Sequence, residues 1–275
     1  MQRIPDVGSR RDPAFIARYH ALVAAVFERY HEVRIDGWQH VPEGAALCVA
    51  NHNGGIMSPD MVALMLAWWR RFGPQAPTYG LAHDVPFLIP GLSEVLWKVG
   101  AVPAHPEHAI ELLGRDAKVL VYPGGDLDAF RPHERRHQVV FGERSGFVRI
   151  ALRTGAPIVP IVGAGAHEGF RVLSDGTALI RALGLKRLTR IEVLPLMLAA
   201  PWGLVVGPMP YIPLPVRMRL RILPPMRWPE LGPADADDEA TVWRCREEVR
   251  EAMQRGLDEL VHEGWSGPRF KAPCP

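Results

Sequence analysis

Short apolar runs of strand length alternate with helix-length segments through the middle of the chain, and this alternation strongly constrains the fold. The strand-like runs lie at residues 45–50, 78–82, 118–122 and 157–162. The segments with helical character lie at residues 61–71, 92–99, 107–113 and 146–153. Residues 217–223 (RMRLRIL) alternate basic and apolar side chains, which predicts an edge or half-exposed strand. This order predicts an α/β fold with a mainly parallel central sheet flanked by helices.

Two further helices are predicted to flank a core of about residues 40–225. Asp12 and Pro13 predict the start of an N-terminal amphipathic helix at residues 12–31, whose apolar residues recur at helical spacing. We expect this apolar stripe either to pack on the core or to touch a membrane surface. A linker rich in Pro, Gly and Asp precedes a charged helix predicted at residues 239–263. The chain is therefore predicted to form a single domain over residues 1–275.

Composition argues against several classes of function. The 275 residues carry a formal net charge of +2, which is too small to predict nucleic-acid binding. Cys48, Cys245 and Cys274 are far apart and lack the spacing of a zinc site, which favours a reducing compartment and no metal. The N-terminal residues hold no apolar run of signal-peptide length, and no stretch of about eighteen uninterrupted apolar residues occurs. We therefore expect a cytoplasmic protein without a spanning helix.

The segment that comes nearest to a membrane span, residues 191–215, is broken repeatedly by proline and cannot form one straight helix. We expect it to lie at a membrane surface, to wall an acyl pocket or to pack in the core. Lys186, Arg187 and Arg190 precede it. These basic side chains are candidates to meet anionic lipid or the phosphates of a donor, with solvated surface as the alternative.

The turn after the first central strand carries a candidate base. Ser58 and Pro59 predict the start of a helix, with Ser58 as its cap. His52 then lies at the carboxyl end of a strand, where open α/β sheets bind their ligands. Asp60, in the first helical turn, is stabilised as an anion by the helix dipole and can hold one imidazole nitrogen. The alternative is a histidine in a turn beside a capping aspartate.

A second strand ends in a pair of glycines. Residues 119–126 (VLVYPGGD) end with Gly124, Gly125 and Asp126, and Arg131 follows. The glycines allow backbone amides to approach a ligand, and an arginine can hold a phosphate or a carboxylate. We therefore predict that this segment contributes to substrate binding, with a tight turn as the alternative.

A third strand, within residues 154–162, runs into a turn that contains glycines. Residues 163–169 (GAGAHEG) miss the pattern G-x-G-x-x-G of a dinucleotide site, because Glu168 stands where the third glycine belongs. No nicotinamide site is predicted. We expect His167 and Glu168 to face the same crevice as His52, with a structural role as the alternative.

Taken in order, these segments resemble the lysophospholipid and glycerolipid acyltransferase superfamily over roughly residues 40–225. Asn51 and His52 match the family's first block, in which an aspartate follows the histidine after four residues. Here that position is Met57, and the next aspartate is Asp60. Residues 99–104 (VGAVPA) resemble the second block, and residues 156–161 (APIVPI) resemble the fourth.

The third block separates branches of the family. It is Pro-Glu-Gly-Thr-Arg in members whose acceptor carries a phosphate. Residues 123–126 (PGGD) look more like the Pro-Gly-Gly form of the diacylglycerol acyltransferase-like branch. The resemblance therefore weakens the case for a glycerol-phosphate or lysophosphatidate acceptor, although Arg131 can take the place of the missing arginine at a different offset.

The resemblance implies transfer of a fatty acyl group from a thioester, acyl-CoA or acyl carrier protein, to a lipid hydroxyl such as that of a lysophospholipid or acylglycerol. His52 would be the general base, and Asp60 would stabilise the imidazolium. The candidate substrate-binding residues are Asn51, Gly124, Gly125, Asp126, Arg131 and Glu168. No cofactor is implied beyond the donor. The implied partners are the acyl thioester donor, a lipid acceptor and a peripheral membrane surface on the inner, cytoplasmic face of a membrane.

Two other functions stay open at this point. A serine hydrolase of the α/β type would need a G-x-S-x-G turn, and residues 142–146 (GERSG) have the wrong spacing. The second is a lipid-binding, membrane-associated protein with a degenerate acyltransferase site, which the methionine at position 57 makes plausible.

Overall fold

The computed structural model describes residues 7–182 and 193–269. The helices in these ranges are α1 (Pro13–Tyr30), α2 (Pro59–Phe72), α3 (Leu92–Lys98), α4 (Pro106–Leu113), α5 (Gly125–Ala129), α6 (Gly146–Thr154), α7 (Thr177–Ala182) and α8 (Glu239–His262). The strands are β1 (Glu32–Asp36), β2 (Ala46–Ala50), β3 (Thr78–Ala82), β4 (Ala101–Pro103), β5 (Lys118–Val121), β6 (Ile158–Ala164), β7 (Arg171–Ser174), β8 (Leu196–Ala199), β9 (Gly203–Val206), β10 (Val216–Ile222) and β11 (Gly267–Pro268).

The main sheet has the order β1-β10-β6-β2-β5-β3-β4, with β11 beside β10. Its strands β6, β2, β5, β3 and β4 are all parallel to their neighbours in this run. Strand β10 is antiparallel to β6, and β1 is parallel to β10. The predicted α/β fold with a mainly parallel central sheet is confirmed. Because β2, β5 and β6 are adjacent and parallel, their carboxyl ends meet at one edge of the sheet.

Strand β2 lies at the centre of a three-layer core. All five of its residues are buried. Leu47 and Val49 face the layer formed by α4, α6 and α8, whereas Ala46, Cys48 and Ala50 face α2. A strand that is covered on both faces reads as a continuous apolar run, which is why the sequence revealed it. Burial raises the pKa of the Cys48 thiol to about 12, as befits a small core residue.

Helix α1 begins after Asp12, whose carboxylate accepts a hydrogen bond from the amide of Phe15 at 2.9 Å, as the sequence predicted. Ile16 packs against α2 in a small apolar cluster. The opposite side of α1 is open: Leu22 and Val26 are 66% and 65% exposed. Within the described ranges, none of the helices combines the length and the apolar character that crossing a bilayer requires.

Strand β10 lies inside the sheet, between β1 and β6, so the edge position considered for residues 217–223 is wrong. The alternative, a half-exposed strand, is correct, because its residues alternate between buried and partly exposed. Arg221 pairs with Asp36 at 2.7 Å and with Glu263 at 2.8 Å. Strand β1 occupies the edge instead. It lacks a continuous apolar run, and the sequence did not reveal it.

A second, three-stranded antiparallel sheet has the order β7-β8-β9. One of its faces packs Val172, Met197 and Val205 against Phe170 and Tyr211. From residue 193 onward, the segment that prolines interrupt forms the hairpin β8–β9. Residues 207–215 then connect this hairpin to β10. Residues 191 and 192, the first two of this segment, lie outside the described residues. The same holds for Lys186, Arg187, Arg190 and Cys274.

Candidate active site

The predicted site residues gather at the edge where β2, β5 and β6 end. His52 lies two residues beyond β2, the glycine pair follows β5, and His167 lies in the turn beyond β6. The order of these strands in the sheet brings together segments that are more than a hundred residues apart in the chain, such as Asn51 and Gly163. The three motifs singled out in the sequence therefore share one edge.

Two asparagines fix the loop that carries His52. The side chain of Asn51 makes a two-way contact with Gly163 of β6: its Oδ1 accepts from the Gly163 amide at 2.7 Å, and its Nδ2 donates to the Gly163 carbonyl at 3.1 Å. Asn53 Oδ1 accepts from the amide of Ala166 at 3.0 Å. Both asparagines are buried. Asn51, a predicted substrate-binding residue, thus has its side-chain amide engaged by the protein backbone.

Asp60 lies beside the imidazole of His52. His52 Nδ1 is 3.6 Å from Asp60 Oδ2, and the aspartate is only 1% exposed. The same carboxylate oxygen accepts from the amide of Asn53 at 3.0 Å. Burial raises the pKa of Asp60, but the nearby His52 and the amides of Asn53 and Met61 outweigh burial and lower it. Asp60 is therefore ionised and lies beside His52 Nδ1, at a distance longer than a normal hydrogen bond.

Two glycines allow the loop to bring Asp60 back to His52 despite the longer spacing. The backbone makes a short 3-10 turn over Gly55–Met57, and Gly55 has a φ of 56°. A Cβ atom at Gly54 would lie 2.5 Å from Asp60 Oδ1. At Gly55 it would lie 2.5 Å from the hydroxyl of Tyr211 and 2.9 Å from the ring of Phe170. Only glycine fits at either position without moving these groups.

Ser58 departs from its expected role as a helix cap. Helix α2 begins at Pro59, as predicted, but the Ser58 side chain makes no capping hydrogen bond. Its backbone is in the left-handed region, with a φ of 45°, which is uncommon for serine. Ser58 Oγ lies 3.2 Å from His52 Nε2 and 3.0 Å from the carbonyl of Gly55, to which it can donate. A hydroxyl therefore occupies the space beside the second imidazole nitrogen.

A buried ion pair holds the backbone of His52. The His52 amide donates to Asp128 Oδ2, and Arg131 Nη1 donates to the His52 carbonyl at 2.6 Å and to Asp128 Oδ1 at 2.6 Å. The remaining donors of Arg131 reach the carbonyl of Arg136. Asp128 and Arg131 are 0% and 1% exposed. Arg131, predicted to bind substrate, is thus surrounded by protein acceptors, and Asp128 was missed because an aspartate in a short helix resembles a surface charge.

The glycine pair after β5 forms a tight turn that an arginine covers. The amide of Gly125 donates to the carbonyl of Tyr122 at 3.1 Å, so it is already engaged within the turn. Arg144 Nη1 donates to the carbonyl of Gly124 at 2.7 Å, and its Nη2 pairs with Asp126 Oδ1 at 2.7 Å. The donor role of the Gly124 amide stays a prediction. Arg144 was not predicted from the sequence, because it follows Asp126 by eighteen residues.

His167 and Glu168 lie on the far side of the loop. His167 Nδ1 contacts the carbonyl of Asn53 at 2.5 Å. Burial, together with nearby Arg131, holds the pKa of His167 well below its usual range, so this imidazole is neutral. Glu168 pairs with Arg136 at 2.7 Å, and its second oxygen is 3.7 Å from His133 Nε2. His167 thus contacts the backbone of the loop that carries His52, and Glu168 contacts Arg136 and His133.

Aromatic and apolar groups lie beside His52 and on the loop that carries it. The ring of Tyr122 lies 4.9 Å from that of His52, and the hydroxyl of Tyr211 donates to the carbonyl of Gly54 at 2.7 Å. Ile56 and Met57, on the loop itself, are 46% and 41% exposed. The His52 side chain keeps 15% exposure. The imidazole is therefore partly exposed, and its loop presents two apolar side chains to the surface.

The sequence that forms this edge matches the model of a known protein family. A model of the acyltransferase family matches residues 32–163, the range that contains His52, Asp60 and the glycine pair. An uncharacterized protein of Mycobacterium tuberculosis is 31% identical over 252 residues, which are 91% of this chain and 68% of that protein. A mouse protein described as a DGAT1/2-independent enzyme synthesizing storage lipids is 30% identical over 64% of this chain and 50% of its own length.

A solved structure shares the fold. The 1-acyl-sn-glycerophosphate acyltransferase PlsC from Thermotoga maritima matches with a TM-score of 0.53 over 91% of this chain and 84% of its own, at 20% identity. The family model thus spans strands β1 to β6 and the residues between them at the sheet edge. The chain belongs to the acyltransferase family.

Proposed function

We propose that this enzyme moves a fatty acyl group from a thioester, carried by coenzyme A or an acyl carrier protein, to a lipid hydroxyl, with His52 as the general base. The observation that carries this proposal is the placement of the imidazole between a carboxylate 3.6 Å from Nδ1 and a hydroxyl 3.2 Å from Nε2. A carboxylate beside Nδ1 favours the tautomer that is protonated there, which leaves the lone pair of Nε2 free to accept a proton.

The transfer step follows from this tautomer. The acceptor hydroxyl gives its proton to His52 Nε2 as its oxygen attacks the thioester carbonyl. The carbon–sulfur bond then breaks, and the leaving thiolate takes the proton from the imidazolium. Asp60 stabilises the imidazolium in between, and its low pKa keeps it ionised for this purpose. The amide of Gly124 is the candidate donor to the oxyanion, a contribution of about 3 kcal/mol for a well-placed donor.

The acceptor we propose is a neutral acylglycerol rather than a lipid with a phosphate beside the reacting hydroxyl. Arg131 is paired with Asp128 and enclosed by backbone carbonyls, which leaves its guanidinium poorly placed to meet a phosphate. Arg144 is committed to Asp126 and to the carbonyl of Gly124. The name of the mouse relative, an enzyme that synthesizes storage lipids, agrees with an acceptor of this kind.

Incubation of the purified chain with labelled acyl-CoA and a mixed lipid extract tests both points, with the product identified by mass. We expect labelled di- or triacylglycerol to exceed labelled phosphatidate, and His52→Ala to abolish both while the circular dichroism spectrum stays unchanged. Wild-type-like turnover by His52→Ala would exclude the mechanism. If the wild type consumes no thioester with any acceptor or with water, the chain is a lipid-binding protein with a degenerate site.

Ser58 favours a second candidate function, a lipid hydrolase that works through an acyl-enzyme. Ser58 Oγ, His52 and Asp60 stand in the order of a nucleophile, base and orienting acid. Ser58 also sits at the start of α2, with a left-handed backbone on a turn between a strand and a helix. Direct transfer from the thioester to the acceptor, without an acyl-enzyme, instead requires that the acceptor hydroxyl approach His52 Nε2 beside Ser58 or displace the Ser58 hydroxyl.

Ser58→Ala separates the two routes. Direct transfer predicts that the variant retains acyl transfer within a few fold of the wild type. A serine route predicts loss of transfer and of labelling by a fluorophosphonate probe in the same variant, as well as an acyl adduct on the wild type after rapid denaturation. Thr177→Ala, at a hydroxyl on α7, is the matched control.

We further propose that the enzyme works at the inner, cytoplasmic face of a membrane as a peripheral protein. Its acceptor resides in membranes, and several large apolar side chains on its surface are more than 40% exposed. Fractionation of expressing cells provides the test. We expect the enzyme in the membrane fraction and release by alkaline carbonate but not by salt. Quantitative recovery in the soluble fraction would contradict this location.

A further inference from the structure

Residues 193–216 carry no charged side chain, although many of them lie at the surface. The only side chains with a polar atom in this stretch are those of Trp202 and Tyr211. Both polar atoms are bound within the protein: Trp202 Nε1 donates to the carbonyl of Pro210 at 2.8 Å, and the Tyr211 hydroxyl donates to the carbonyl of Gly54 at 2.7 Å. The stretch thus offers no unsatisfied polar side chain to a partner.

The hairpin β8–β9, the part of the small sheet within this stretch, is apolar on both faces. One face of an antiparallel sheet usually meets water and is polar. Here the inner face packs on Phe170 and Tyr211, and the outer face presents Leu198 and Leu204, which pair across the strands, together with Val206. Leu204 and Val206 are each 62% exposed. The outer face of the hairpin therefore lacks the polar side chains that water favours, and the exposed Arg171 and Ser174 lie on the neighbouring strand β7.

The chain after the hairpin connects this outer face to the active site. The amide of Ile212 donates to the carbonyl of Ala200 beside the hairpin, at 2.8 Å. The preceding residue, Tyr211, reaches the catalytic loop at Gly54. Ile212 and Leu214 are 56% and 51% exposed. The exposed apolar side chains thus continue from the hairpin to the loop that carries His52.

These observations define a docking face that consists of Leu198, Trp202, Leu204, Val206, Ile212 and Leu214. A protein partner would be expected to bring a polar rim with about one hydrogen bond per 100–200 Å² of interface. The docking face offers no side-chain donor or acceptor for such a rim, whereas the acyl region of a lipid leaflet requires none. The charged residue across the strands from Leu198 is basic, Arg171, which suits phosphate head groups.

We propose that the docking face inserts into a lipid leaflet and so presents the opening beside His52 to acceptors held in that leaflet. This inference rests on the proposed function, since an acylglycerol acceptor is delivered by the membrane. The indole of Trp202, which is apolar over its ring and 58% exposed, lies at the tip of the hairpin and enters the boundary of the leaflet. Ile56 and Met57 continue the apolar surface at the opening itself.

Sedimentation with phosphatidylcholine vesicles, with and without phosphatidylglycerol, tests this proposal on the full chain. We expect the double variant Leu204→Ser with Val206→Ser, and separately Trp202→Ser, to bind vesicles about tenfold or more weakly than the wild type. Binding by the wild type should persist in high salt, because apolar insertion is not screened. The matched control is Trp243→Ser on α8, where a tryptophan of similar exposure, 46%, lies outside the docking face.

Three outcomes would overturn the proposal: no vesicle binding by the wild type, equal loss in the Trp243→Ser control, or a wild-type dimer in analytical ultracentrifugation that the double variant dissociates. Activity is measured in parallel on a soluble short-chain thioester and a soluble acceptor. We expect the double variant to keep this soluble activity and to lose activity on acceptors in vesicles. If no acyl transfer is seen in either assay but vesicle binding still depends on the docking face, the proposed function fails and the docking inference stands.

Discussion

The catalytic edge of the main sheet and the outer face of the small sheet differ in the polarity and the exposure of their side chains. At the catalytic edge, the buried side chains of Asn51, Asp128 and Arg131 are each bound to specific partners, because leaving them unpaired would be costly. On the small sheet, Leu204 and Val206 are apolar and open. The paired polar groups fix the geometry of the site, whereas the open apolar face suits contact with a fluid lipid leaflet. The contrast indicates that positioning and docking reside in separate parts of the chain.

His52→Ala should have the largest effect. We expect loss of roughly 10³-fold or more in kcat/KM, since general base catalysis and the orientation of the acceptor both depend on the imidazole. Vesicle binding should not change, because the docking face is intact. The measurement pairs turnover with vesicle sedimentation. A variant that loses both would show that the two regions are not separate.

Asp128→Asn should cause the largest loss of stability. The change leaves Arg131 as a buried cation without its counter-ion, which costs about 3–5 kcal/mol. Urea unfolding followed by circular dichroism measures the effect. The control is Asp237→Asn, which removes an equivalent charge from an exposed pair with Arg153 and should cost about 0–1 kcal/mol. Equal losses in the two variants would contradict a special role for the buried pair.

Asp60→Asn should lower kcat by about 100-fold or more with little change in KM, because the amide neither favours the required tautomer nor stabilises the imidazolium. Asp237→Asn, at an exposed aspartate that pairs with Arg153, is the control and should retain most activity. Steady-state kinetics on the soluble substrates provide the comparison. If Asp60→Asn retains as much activity as Asp237→Asn, the partner of His52 has been assigned wrongly.

Asp60 should also have a smaller effect, seen in how the free energy of unfolding depends on pH. Its pKa is lower in the folded protein than its ordinary value of 3.8. The ionised carboxylate therefore contributes stability that is fully present above about pH 4 and is lost as the pH falls through the folded-state pKa. Urea midpoints for the wild type and Asp60→Asn should differ by a constant amount above about pH 4 and converge below it. A difference that grows with acid would reverse the sign and reject this account.

The exposed stripe of α1 should have the smallest effect. Leu22→Ser with Val26→Ser removes apolar area from a helix that also carries exposed charges such as Glu28 and Arg29. We expect vesicle binding to weaken about two- to threefold, less than for the docking face, because those charges limit how deeply the helix can enter a leaflet. The same sedimentation assay measures it. A larger loss than that of Leu204→Ser with Val206→Ser would move the main contact to α1.

The sequence predicted the parts of the fold in which local pattern and burial agree. Strand β2 is apolar because both of its faces are covered, and α2 begins at Pro59 because proline fits the first turn of a helix. The strand-end position of His52 followed from these two boundaries. The hairpin β8–β9 of the small sheet was not predicted, since its strands are apolar on both faces and show no alternation.

The contacts that position His52 were beyond the reach of the sequence for a different reason. Asn51 meets Gly163 across 112 residues, and Arg131 reaches the His52 carbonyl across 79. Such pairs depend on the order of strands in the sheet, which spacing along the chain does not encode. The roles expected for Arg131 and Glu168 came from the family's third block and from strand ends. In the structure Arg131 binds the His52 carbonyl and Glu168 pairs with Arg136, contacts that the spacing along the chain did not predict.

The two glycines after His52 also have a consequence for how such enzymes diverge. A side chain at Gly54 would collide with Asp60, and one at Gly55 would collide with Tyr211 and Phe170 beneath the small sheet. The lengthened loop and the small sheet are therefore fitted to one another. We expect the lengthened loop and the small sheet to be inherited together. Relatives with the shorter spacing between histidine and aspartate should then need neither the two glycines nor these two aromatic residues.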